Sequence, residues 1–228
     1  MKVFFGENPG SRRIEMYELR LPCCIVLDDS AAMEMWAPEL QGMVHNFRDA
    51  LMASIENTSC VADISLMCTG GGRIVQTPFA LPADLSIPAL RCEGVADIRG
   101  ALQKGVDLLQ ERKLMYQMAG IDYLRPMLFL LTASAPAENM PDEREKERLH
   151  TLQKERKLIF CPVAIGAAEE LDALASLHPQ GTAFRLKEGQ PDDAMQWVAR
   201  CIRRAAGWIP DGFDPLEPEG RISRIRSC

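Results

Sequence analysis

No apolar stretch of the 228-residue sequence is long enough to span a bilayer, so no membrane-crossing helix is expected. The amino-terminal MKVFFGENPGSRR has one lysine and a brief apolar run before Gly6, Asn8 and Pro9, too short for the core of a signal peptide. A basic excess is also missing. Twenty-six Lys and Arg against 32 Asp and Glu give a net charge of −6 and a pI near 5.2, which argues against a general nucleic-acid or anionic-membrane surface. Arg221, Arg224 and Arg226 gather near the end, as in an ordinary solvated terminus. Paired C-x-x-C spacing and a regular disulfide framework are absent from the eight cysteines. Cys23, Cys24, Cys68, Cys92 and Cys161 lie in or beside apolar runs. They read as reduced, buried thiols in a cytoplasmic chain rather than as disulfides or a metal cluster. Gly70, Gly71 and Gly72 are not followed by the Gly-Lys-Ser/Thr of a phosphate loop, and no dinucleotide fingerprint occurs. His45 has no second histidine or carboxylate at metal-site spacing around it, and His45, His150 and His178 have no hydroxyl or thiol within local reach. Neither a metal centre nor a nucleophilic triad is expected from them.

What the sequence does contain is a rhythm of apolar strands and amphipathic helices. With 47% hydrophobic and 25% charged residues, the chain suits one well-buried α/β domain plus extensions. The organising stretch is LPCCIVLDDSAAM, residues 21–33. Residues 23–27 form an unbroken apolar run suited to a strand buried on both faces, and Asp28, Asp29 and Ser30 follow at its carboxyl end, where open α/β sheets place their ligand sites. A long helix is expected next, because Trp36, Leu40, Met43, Val44, Phe47, Leu51 and Ile55 recur at three- and four-residue steps and Pro38 fits the first turn. Residues 61–71 alternate as a second strand, and the three glycines turn into RIVQTPFAL as a third. A proline-punctuated loop leads to a helix carrying Ile98, Ala101, Leu102, Val106, Leu109 and Leu114, with Asp97 placed to cap it.

Residues 123–132 and 158–166 give two more buried strands, separated by a charged helix with Leu149 and Leu152 inward. A short helix before Pro179, the strand TAFRLKE and a final helix follow. In that helix Asp192 and Asp193 stand at the start and Arg203 and Arg204 at the end, which matches the helix dipole. The resulting expectation is an α/β doubly wound, mostly parallel sheet with one antiparallel edge strand and helices on both faces. A lead-in covers residues 1–19, the domain 20–206, and an irregular Pro/Gly-rich tail 207–228.

Asp28-x-Ser30 resembles the start of the D-x-S-x-S metal-ion-dependent adhesion site of von Willebrand factor A domains, across nearly the whole of residues 20–206. RLPCCIVLDDSAAM, SLMCTGGGRIVQTPFAL, CEGVADIRGAL, MLFLLTASAP, PVAIG and KEGQPDDAMQWVARCI most resemble the TerY-type bacterial subfamily associated with tellurium resistance. The resemblance implies a doubly wound fold and ligands at five positions, of which three here are alanine. Ala32 replaces the second hydroxyl of the first motif, Ala96 the threonine of a G-G-T, and Ala133 the aspartate of a T-D-G that begins at Thr132 and ends here in Ser134. Asp28 and Ser30 alone supply two ligands, short of the near-octahedral oxygen shell Mg2+ demands. Asp29 is expected to point away from its neighbour, and Asp97 to cap its helix rather than ligate. Asp28 is expected to accept backbone N–H bonds from the next turn, and Ser30 to cap the helix that follows.

The expected function is therefore a non-enzymatic protein-interaction or scaffold module with a degenerate metal site and no cofactor. The resemblance implies cytoplasmic service in a bacterial stress-response or phosphorylation-linked system, with a kinase or phosphatase as partner. Its binding face would comprise Asp28, Asp29, Ser30, Ala32, Ala96, Asp97, Thr132, Ala133 and Ser134, within stretches 28–33, 94–97 and 132–136. The alternative is a metal-dependent adhesion module holding Mg2+ through Asp28, Ser30 and a partner's carboxylate. A phosphatase-like hydrolase with Asp28 as nucleophile is disfavoured, because Ser30 stands where such enzymes carry a second aspartate.

Overall fold

A computed structural model describes residues 19–52, 60–135, 137–166, 171–186, 190–208, 216–218 and 220–226. The lead-in 1–18, the end of the first helix with Ile55, Pro136, and the remainder of the tail lie outside the described residues.

Seven strands form one sheet: β1 (Leu19–Leu27), β2 (Cys60–Cys68), β3 (Val75–Gln76), β4 (Met127–Thr132), β5 (Ile159–Ile165), β6 (Thr182–Leu186) and β7 (Ile222–Arg226). Their order is β3-β2-β1-β4-β5-β6-β7, parallel throughout the five inner strands and antiparallel at both edges. The helices are α1 (Ala37–Met52), α2 (Ile98–Ala119), α3 (Glu143–Lys154), α4 (Leu171–Ala175) and α5 (Pro191–Arg203). This is the doubly wound α/β architecture expected, with two antiparallel edges rather than one.

The apolar run of β1 is buried on both faces because its side chains alternate between two cores. Leu21, Cys23, Ile25 and Leu27 join Phe47 of α1 and Trp197 of α5. Cys24 and Val26 join Ile98 and Leu102 of α2 and Leu149 of α3. Asp97 accepts the Gly100 N–H at 2.9 Å and caps α2, as its position next to the apolar periodicity predicts. Leu114 departs from that periodicity and is exposed near the end of α2, together with Met115 and Met118. Among the described residues no helix is long and apolar enough to cross a membrane.

Two further expectations are corrected. The tail contains β7, which pairs with β6 from Thr182↔Arg226 to Leu186↔Ile222. Backbone pairing against an open edge makes this strand, and its arginines suit an edge position. The third strand shrinks to Val75–Gln76 plus a single bridge between Ala80 and Ile64, since Pro78 cannot donate to the ladder.

Since β2 lies on one side of β1 and β4 on the other, the carboxyl end of β1 is the point where the winding reverses. Asp28, Asp29 and Ser30 stand there.

Candidate functional site

The loop after β1 is held by its own carboxylates. Asp28 donates its N–H to the Leu131 carbonyl at 2.9 Å, continuing the pairing of β1 with β4 for one residue. Asp28 Oδ1 accepts the Ser30 N–H at 2.9 Å, and Oδ2 accepts the Thr132 hydroxyl at 2.7 Å and the Ala133 N–H at 3.4 Å. Asp28, Ser30 and Thr132 are all buried. The Ser134 N–H in turn donates to Thr132 Oγ1 at 3.1 Å. Asp28 therefore fastens the end of β1 to the end of β4 and to the following turn, the role expected of it. Ser30 does not play its expected part. It heads the short 3-10 turn Ala31–Trp36 without a side-chain capping bond.

Asp29 points to the other side and is 0% exposed. Its Oδ1 accepts the Gly70 N–H at 2.5 Å, and its Oδ2 accepts the Arg91 N–H at 3.3 Å and meets the Arg73 guanidinium at 3.5 Å. Its own carbonyl accepts the Glu93 N–H at 3.1 Å. This explains the first of the three glycines, because a Cβ at Gly70 would stand 2.1 Å from the Asp29 carbonyl oxygen. Gly71 and Gly72 both adopt φ +65 and complete the turn. Asp29 thus ties together the loops after β1 and β2 and the segment leading to α2.

That segment, 91–97, lies across the end of the sheet. Gly94 O accepts the Ala31 N–H at 3.0 Å, Val95 O accepts the Gly72 N–H at 3.1 Å, and Asp97 donates to Thr69 O at 2.9 Å. Ala32 is exposed, and Ala133, Ser134 and Asp97 are half-buried. Ala96 is a correction: it is 5% exposed and packs into the core under α2, so it is no part of an accessible face. Its neighbour Val95 stands out instead, 59% exposed, as does Met35 at 75%. Neither was legible as a surface residue from periodicity. An apolar side chain inside a polar, glycine-bearing loop was the available signal for Val95.

Cys92 occupies a left-handed conformation, φ +52, in the same segment. Burial and the nearby charges of Asp29, Asp28 and Glu34 push its thiol pKa up, so it is a weak nucleophile. His150 contacts the Ser176 carbonyl at 2.9 Å, and His178 Nδ1 accepts the Gln180 N–H at 3.2 Å.

The carboxylates expected near a cation are engaged within the chain. Both oxygens of Asp28 already accept protein hydrogen bonds, Asp29 is committed to Gly70, Arg73 and Arg91, and Asp97 caps α2. Among the described residues no three or more His, Cys, Asp or Glu side chains come together as ligands.

No family model matches the chain, and no curated protein matches it. Solved structures do. The pilus adhesin SpaC of Lactobacillus rhamnosus GG, in its open conformation, is 12% identical over 82% of this chain and 30% of its own, with a TM-score of 0.58. Proximal thread matrix protein 1 of the mussel byssus, with a zinc-occupied MIDAS motif, is 12% identical over 84% of this chain and 46% of its own, at 0.54. The N-terminal domain of TFIIH p34 is 12% identical over 81% of this chain and 98% of its own, at 0.55. The chain thus spans less than half the length of the adhesin and of the matrix protein. At these identities the likeness is one of fold, an α/β architecture around a mostly parallel sheet.

Proposed function

We propose that the protein is a non-enzymatic protein-interaction module that engages its partner through the carboxyl end of the sheet without a bridging cation. The observation that carries this reading is the state of Asp28. Its oxygens are spent on Ser30, Thr132 and Ala133, while Met35 and Val95 stand exposed on two loops joined by the Ala31–Gly94 hydrogen bond. A face with apolar side chains, small alanines and a polar rim of Glu34, Arg91 and Glu93 suits a protein contact. Two structures of similar fold are named as a pilus adhesin and a thread matrix protein, which supports an interaction role for the fold.

The likeness of the sequence to TerY-type proteins extends the proposal to a bacterial stress-response system with a kinase or phosphatase as partner. Six of the seven described cysteines are buried and no two of the seven are joined in a disulfide, in keeping with a reducing, cytoplasmic setting. The test is affinity capture from an extract of the source organism, in chelator, with Ala32→Arg and Val95→Arg beside the unsubstituted protein. Both variants should melt normally and lose the partner that the unsubstituted chain retains. Retention by both moves the interface elsewhere, and loss of capture in chelator alone contradicts independence from metal.

A further inference from the structure

At the opposite end of the sheet, where β4 and β5 begin, lies a cavity of about 210 Å3. That is far more than the ~30 Å3 share of one water and less than the ~300 Å3 at which pockets for drug-sized ligands start. Leu158, Phe160 and Leu216 give it apolar walls, and Arg125, Gln153 and His178 its polar groups. Among the described residues none that lines it is acidic. Among the described residues the Arg125 guanidinium makes no ion pair or hydrogen bond, and burial and the charge of Arg156 pull its pKa down. Arg156 follows α3 in a left-handed conformation, φ +56, which glycine adopts freely and arginine only at a cost. His178 accepts the Gln180 N–H at Nδ1, so its neutral ring carries the proton on Nε2 as a donor. Burial, His150 and Arg224 disfavour its charged form.

A guanidinium and a ring N–H donor thus line one cavity together with Leu158, Ile159, Phe160 and Leu216, in a chain of net charge −6. An anion in the cavity would meet both donors, and the planar fork of arginine matches a carboxylate. One lining cation beside the side chains of Leu158, Ile159, Phe160 and Leu216 suits a single negative charge. A phosphate, with close to two charges and three strong acceptor oxygens, would call for more donors. We propose that this cavity binds a small monocarboxylate with an apolar body, held by Arg125 and the Nε2–H of His178. The site is independent of the Asp28 face.

The test is an NMR titration of the 15N-labelled full chain with phenylacetate, phenylacetamide and phenyl phosphate. Phenylacetate should shift the backbone amides of Gln153, Ile159, Phe160 and Leu216. Phenylacetamide, the same shape without the charge, should bind roughly tenfold more weakly, the size of a lost charge-assisted hydrogen bond. Arg125→Gln should weaken phenylacetate by a similar factor, and Arg91→Gln, at the far end of the sheet, should leave it unchanged. Equal binding of acid and amide overturns the proposal. So does tighter binding of phenyl phosphate, a set of shifts confined to the Asp28 end, or unaltered affinity in Arg125→Gln. Should that variant fail to fold, the acid and amide comparison on the unsubstituted chain still decides.

Discussion

Asp29→Asn isolates the carboxylate that assembles the end of the sheet. The side chain keeps its size, but one acceptor oxygen becomes an NH2 group. Both Asp29 oxygens receive backbone N–H donors, from Gly70 at 2.5 Å and Arg91 at 3.3 Å, so in either orientation the amide sets a donor against a donor. An unsatisfied buried donor costs about 1–3 kcal/mol. Removing one member of a buried ion pair costs about 3–5 kcal/mol. The Arg73 side chain is 29% exposed, so solvent recovers part of its charge and the lower end applies. We expect a loss of about 3 kcal/mol, which for a domain of this size lowers Tm by roughly 6–12 °C. Urea unfolding followed by circular dichroism, with the midpoint falling at unchanged slope, is the assay. The control is Asp49→Asn, whose partner Arg48 lies on the surface and whose own carboxylate is exposed, and which should change little. A loss below about 1 kcal/mol for Asp29→Asn would refute the reasoning, because so small a cost means that the three donors find other acceptors.

Other outcomes follow from the same structure. Tyr116→Phe should cost about 1–2 kcal/mol in urea unfolding, because the phenol donates to buried Asp63 and accepts from Arg112 Nε at 3.1 Å, joining α2 to β2. Cys24 and Cys68 are pushed to about 12 and Cys60 to about 11, mainly by burial. In a Cys228→Ser background, a thiol reagent at pH 8 should therefore modify half-buried Cys92 first and the buried thiols only on unfolding. Burial lowers the pKa of His178 below its ordinary 6.5. The unfolded chain then binds the proton more readily, so the stability due to neutral His178 is full above pH 6.5 and falls as the pH drops toward the folded pKa. His178→Gln should flatten that fall in a pH series of thermal melts.

Where local physics decided the outcome, the sequence was legible. The run of residues 23–27 could be satisfied only by burial on both faces, and Asp97 before the periodicity of α2 only by a cap. The alanines at 32, 96 and 133 are the sequence basis for expecting a metal-independent face, which the titration below tests. Legibility ended where partners are far apart in sequence. Asp29 meets Gly70, Arg73 and Arg91, 41 to 62 residues away, and nothing local to D-D-S names them. β7 was hidden because the strand forms by pairing with an edge that exists only after folding, behind a stretch rich in proline and glycine. Ala96 and Val95 exchanged roles for a similar reason. Which of two adjacent small apolar residues faces the core depends on how the Gly94 and Asp97 hydrogen bonds set the loop.

The central claim is that Asp28 is a fastening and not a ligand. Isothermal titration of Mg2+, Mn2+ and Ca2+ into chelator-stripped protein, with Asp28→Asn alongside, tests it most directly. The account predicts no saturable heat at millimolar metal from either protein, together with a lower melting temperature for the variant. Saturable binding by the unsubstituted chain that disappears in Asp28→Asn would contradict it and return the site to metal-dependent adhesion.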